Sequence, residues 1–109
     1  MKSGELWILE LPFREGREQR GVRPCLILAD TKTDMIITVP LTSNLQASRF
    51  PNTLRIESSK ENGLEKNSIA LIFHIQSLDK KRFIKKIGDL EDSYFSEIKK
   101  AVRELVENQ

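Results

Sequence analysis

GREQRGVRPCLILAD, residues 16–30, decides how this chain is read. Its first half is basic and broken by Gly16 and Gly21, which argues against regular structure. Its second half, Cys25 to Ala29, is an apolar run of strand length. At the join, Pro24 has a locked φ and pushes Arg23 into an extended conformation. A guanidinium is therefore held at the mouth of a core strand. Asp30-Thr31-Lys32-Thr33-Asp34 follows as turn chemistry.

Upstream, Glu5 to Leu11 reads as a first strand closed by Pro12, with apolar side chains in both phases. Such a strand is covered on both faces, by core or by a partner. Arg14, Arg17 and Arg20 sit at helical spacing, but the two glycines and the bracketing prolines favour a loop or hairpin arm over 13–22.

Downstream, Met35–Leu41 is a strand, and its Pro40 predicts an end that lies at an edge or leaves the sheet. Thr42-Ser43-Asn44 makes a polar corner, and residues 45–52 read as loop. Thr53–Ile56 is a short strand, and 58–67 a polar loop turning at Asn62-Gly63. Ser68–Phe73 reads as a buried strand running on through His74. Asp79 can cap a helical turn over Lys80–Phe83, and Phe83–Ile87 is a last strand. Tyr94, Phe95, Ile98, Ala101, Val102, Leu105 and Val106 form one apolar stripe at helical spacing. Leu90 and Phe95 fit a hydrophobic staple at its start. The expectation is one domain over 1–109, mainly β, a small barrel with a C-terminal helix packed on it.

Bulk composition excludes several classes. With 109 residues, 39% hydrophobic and 31% charged, the chain can bury roughly two-thirds of its unfolded surface around a real core. A formal net charge of +2 permits nucleic-acid binding without arguing for it; the clustering of cations decides. One cysteine and one histidine cannot build a structural disulfide or the usual zinc site, so no metal or cofactor is expected. Cys25, inside an apolar run, reads as core packing. No apolar run approaches a membrane span or signal peptide, which points to the cytoplasm and no membrane partner.

Taken together, Gly4-Glu5-Leu6-Trp7, RGVRP ending at Pro24, Pro40-Leu41-Thr42-Ser43, Gly63-Leu64 with Ser68, Ser77 to Phe83, and Ile87-Gly88-Asp89-Leu90 are familiar in order and spacing. The chain resembles the MazF/PemK family of type II toxin–antitoxin endoribonucleases along nearly its whole length. That resemblance implies an SH3-like barrel, a homodimer, metal-free and ribosome-independent cleavage of single-stranded RNA at specific sequences, and neutralisation by a cognate MazE-like antitoxin. By the same resemblance, Arg23 matches the family's functional arginine and Thr42 its threonine after the third strand. Arg17, Glu18, Gln19 and Arg20 match its RNA-contacting loop, with Ser43 and Gln76 as further RNA contacts. Two positions depart from the family pattern. Gln76 stands where members often carry arginine, and Phe73 where some carry aspartate, so an acid/base role for that aspartate has no counterpart here.

Metal-free RNA cleavage uses the 2′-hydroxyl as nucleophile and leaves a 2′,3′-cyclic phosphate and a 5′-hydroxyl. Arg23 suits the phosphate, because its planar fork holds two oxygens and stays charged. The Thr42 hydroxyl can bond a phosphate oxygen, or cap the turn with Ser43. Glu18 is the nearest carboxylate in sequence, but Arg17 and Arg20 beside it make it a weak base. His74 is the third catalytic candidate, because histidine is the side-chain type suited to acid/base work at neutral pH; it can equally be a buried or edge histidine. Lys80, Lys81, Arg82, Lys85 and Lys86 form a basic cluster, read either as solvated surface or as an RNA track. Two other readings share the fold. One is a CcdB-like, gyrase-directed toxin; the other is a catalytically degenerate relative that keeps RNA or antitoxin binding.

Overall fold

A computed structural model of the chain describes residues 1–10 and 22–108. The strands are β1 (Glu5–Glu10), β2 (Val22–Asp30), β3 (Met35–Thr42), β4 (Thr53–Ile56), β5 (Ser68–Leu71), β6 (Gln76–Asp79) and β7 (Phe83–Asp89). The helix α1 covers Asp92–Glu107. The strand order is β4-β5-β3-β2-β1-β7, with β6 also paired to β3, and the pairings are antiparallel. The expected β-plus-helix architecture is present. The sheet does not close, however: among the described residues β4 and β7 stand at opposite ends of the hydrogen-bonded path.

β3 organises this sheet by changing neighbours along its length. Met35–Thr38 pair with β6, while Leu41 and Thr42 pair with β5. Pro40 falls in the gap between the two partners. A residue without an N–H is tolerated there because no ladder on that side needs its donor. The proline thus marks a handover inside the sheet, not an outer edge.

The handover also corrects the strand expected through His74. β5 stops at Leu71, and Ile72–His74 form a 3-10 turn. The Phe73 N–H donates to the Asn52 carbonyl (3.2 Å) instead of to a sheet neighbour. The chain then re-enters as β6, a strand too short and polar to announce itself in the sequence. A second 3-10 turn at Leu45–Arg49 replaces the expected loop, with the Asn44 side chain accepting from the Gln46 N–H. The third, Lys80–Arg82, is the turn expected behind Asp79, whose carboxylate accepts from the Lys81 N–H at 2.9 Å.

The main core joins Leu6, Leu26, Val39, Leu41, Ile56 and Ile72 to the helix through Ile98, Tyr94, Phe95 and Val102. Leu90 is buried and Phe95 packs on the same cluster, as the staple requires. A smaller cluster of Leu9, Cys25 and Leu78, flanked by Trp7 and Phe83, gives β1 and β2 a second buried side. This explains the two-phase apolar pattern of the first strand. Burial pushes the Cys25 thiol up to about 12, so it packs as a small hydrophobe. Among the described residues, no helix is long and apolar enough to cross a membrane.

Candidate functional site

β2 and β3 pair Cys25 with Pro40, Leu26 with Val39 and Ile27 with Thr38. Continuing this register by two residues sets Arg23 opposite Thr42. Both residues line one open groove of about 1610 Å³. Arg23 is half-buried beside Leu9 of β1, and its Nη1 donates to the Val22 carbonyl at 3.2 Å. The Thr42 hydroxyl accepts the Asn44 N–H at 3.2 Å, so it does cap the corner. Capping uses the oxygen as an acceptor and leaves the O–H to donate into the groove. The two readings of Thr42 are therefore compatible.

Two walls flank this pair. One is the strand segment Lys85-Lys86-Ile87 of β7, brought near Arg23 because β1 lies between β2 and β7. The other is Gly63 to Lys66 in the β4–β5 loop, with Ser68 at its end. Ser43 and Asn44 complete the rim. Among the described residues, Arg23, Lys66, Lys85 and Lys86 face one lining carboxylate, Glu65, so this part of the groove is cationic. Lys86 also bonds Asp89 (3.1 Å) and Glu5 (3.4 Å), which raise its pKa and hold its charge.

The basic cluster of 80–86 is thereby split. Lys85 and Lys86 reach the groove, while Lys80, at 3.9 Å from Asp30, sits in the turn before β7. Lys66 was not singled out by its sequence context; only the docking of its loop brings it in. His74 and Gln76 do not line the groove. His74 is exposed in the 3-10 turn, its ring stacked on Phe73 at 6.3 Å and 6°. Gln76 opens β6 opposite Thr38, and its carbonyl accepts from the Thr38 hydroxyl. The break after Leu71 carries both away from Thr42. Arg17, Glu18, Gln19 and Arg20 lie outside the described residues. Among the described residues, no group of three or more His, Cys, Asp or Glu side chains could hold a metal ion.

The profile of the PemK-like, MazF-like toxin of type II toxin–antitoxin system family matches residues 2–106. The chain belongs to this family. The PemK/MazF resemblance carried by RGVRP and the Pro40–Ser43 corner is therefore real. A relative from Staphylococcus saprophyticus, Endoribonuclease MazF, is 29% identical over 106 residues, covering 94% of this chain and 88% of its own. In fold, the chain is similar to MazF in the MazE–MazF crystal structure (Form-II) from Deinococcus radiodurans. The TM-score is 0.77 at 23% identity, over 97% of this chain and 95% of that one. It is also similar to a mycobacterial endoribonuclease in complex with its cognate antitoxin, with TM-score 0.75 at 17% identity, over 97% and 94%. The groove brings a guanidinium, a hydroxyl and three lysines together in one place.

Proposed function

We propose that this toxin-family chain is an endoribonuclease that cuts single-stranded RNA at specific sequences, without a metal and without the ribosome. The observation that carries the reading is the convergence of Arg23 and Thr42 on one cationic groove. The chemistry follows from the substrate. The 2′-oxygen attacks the adjacent phosphorus while the bond from phosphorus to O5′ breaks. The 2′-hydroxyl loses its proton to a base, and O5′ gains one as it leaves. The products are a 2′,3′-cyclic phosphate and a 5′-hydroxyl.

Negative charge grows on the non-bridging oxygens along this path. Arg23 meets it with a bidentate fork, and the Thr42 O–H donates to the same phosphate. Lys66, Lys85 and Lys86 hold neighbouring phosphates and set the strand's path. Arg17, Glu18, Gln19 and Arg20, in the segment leading into Arg23, are assigned to reading the bases, with Ser43 at the rim. Glu18 is the first carboxylate to test as proton acceptor. His74 and Gln76 stand apart from the chemical step. The relatives named for MazE–MazF and cognate-antitoxin complexes support neutralisation by a MazE-like antitoxin, and the toxin is assigned as a homodimer by the family resemblance alone.

The test is incubation of purified protein with a long RNA, with the matching DNA, and with gyrase, comparing wild type and Arg23→Ala. RNA cut only by wild type, with cyclic-phosphate ends and in the presence of chelator, is the expected result. Intact RNA with inhibited gyrase would place the chain with CcdB-like toxins instead. Neither effect would mark a degenerate relative.

A further inference from the structure

Behind the groove wall lies a buried polar side chain, Asn62. Asn62 is fully buried, and all the hydrogen-bonding groups of its side chain are engaged. Its Oδ1 accepts from the N–H groups of Ser59 and Leu64, each at 3.0 Å. Its Nδ2 donates to the Glu57 carbonyl at 2.9 Å and to Glu91 Oε1 at 3.1 Å. The Ser59 hydroxyl donates to Glu91 Oε2 at 2.7 Å. Glu91 is the N-cap residue of α1, but its side chain makes no capping hydrogen bond, and its carboxylate bonds this loop instead.

The loop held in this way is the one that forms the groove wall from Gly63 to Lys66. It rests directly on the opposite wall. A Cβ on Gly63, at φ +70°, would lie 1.9 Å from the Ile87 carbonyl oxygen. A Cβ on Gly88 would lie 2.5 Å from the Asn62 carbonyl. The Asp89 N–H donates to the Glu61 carbonyl at 3.0 Å. The spacing between Lys66 on one wall and Lys85 on the other therefore depends on how the loop seats, and the amide of Asn62 sets that seating.

We propose that Asn62, locked to Glu91, is a positioning residue for RNA: it sets Lys66 against the β7 wall without touching the substrate. The inference rests on the groove being the RNA track. Its physical basis is that a buried amide with every donor and acceptor engaged has one orientation, and that the backbone groups it satisfies have one placement. Removing it frees the Leu64 and Ser59 N–H groups and lets the wall drift toward water.

The experiment measures binding of a 2′-O-methylated single-stranded RNA, which cannot be cut, across a salt series. Lys66→Ala should flatten the slope of log affinity against log salt by about 0.7, one phosphate contact on a single strand. Asn62→Ala should flatten it by a similar amount, and the double variant by no more than either alone. Glu91→Ala, which removes the lock from outside the groove, should do the same; it serves if Asn62→Ala fails to fold. A melting temperature lowered by either variant with a wild-type salt slope would overturn the proposal, as would effects additive with Lys66→Ala. A wild-type slope for Lys66→Ala itself would bring down the RNA-track reading, and the inference with it.

Discussion

Arg23 and Thr42, 19 residues apart in sequence, line the same groove, each two residues beyond the last β2–β3 pair, Cys25 with Pro40. Pro24 holds the first extended, and the Thr42–Asn44 turn holds the second at a corner.

Arg23→Ala should lower RNA cleavage by about 10²- to 10³-fold, the usual loss when one donor to a developing oxyanion is removed. Arg23→Lys should rescue little, because an ammonium cannot replace a bidentate fork. Thr42→Val should lose activity while Thr42→Ser keeps most of it. Single-turnover rates on a fixed RNA, at saturating enzyme, separate these outcomes from weaker binding.

His74 projects from a 3-10 turn outside the groove. His74→Ala should therefore cleave at close to the wild-type rate, with an unchanged pH–rate profile. A lost limb in that profile would return His74 to the chemical step.

The Cys25 thiol, 2% exposed and pushed up to about 12 by burial, should not react with iodoacetamide at pH 8 in the folded protein. Labelling followed by mass spectrometry should show modification only in denaturant.

Glu5 and Glu91 should make stability fall in acid. Burial pushes each carboxyl up, but the Trp7 indole N–H, the Lys2 N–H and Lys86 pull Glu5 below its ordinary value. The Ser59 hydroxyl and the Asn62 amide, with the Glu91 backbone N–H, do the same for Glu91. A carboxyl lowered on folding adds stability above its unfolded pKa and loses it as pH falls through the folded one. Urea midpoints should thus be flat near neutrality and drop below about pH 4. Glu91→Gln should make that drop shallower.

Gly63→Ala should destabilise the fold by more than about 2 kcal/mol, since a Cβ at that left-handed position collides with the Ile87 carbonyl. Thermal melts measure it directly. An alanine at Gly4, whose nearest neighbour would be the movable Phe95 ring at 3.4 Å, should cost less.

Much of the fold was legible because its signals are local. The α1 stripe, the Asp79 cap, the apolar run after Pro24 and the two-phase pattern of β1 each depend on neighbours within a few residues. The missed pieces depend on distant partners. β6 exists because the first half of β3 lacks a neighbour once β5 pairs with the second half. The break at Ile72 exists because Phe73 bonds the Asn52 carbonyl. No local propensity encodes either.

The site divides in the same way. The chain's own chemistry determined that Arg23 would be extended and charged at the head of a buried strand, because a following proline leaves it little choice. The same chemistry supplied a hydroxyl at Thr42 and a run of lysines before Gly88. Only the tertiary structure decided which of these meet. Register between β2 and β3 is chosen by packing Leu26, Val39 and Leu41 into the core, and that choice sets Thr42 against Arg23. The seating of Asn62 adds Lys66, and the detour after Leu71 leaves His74 outside. Core packing between strands far apart in sequence made those selections, because a β-ladder is specified by both of its strands together.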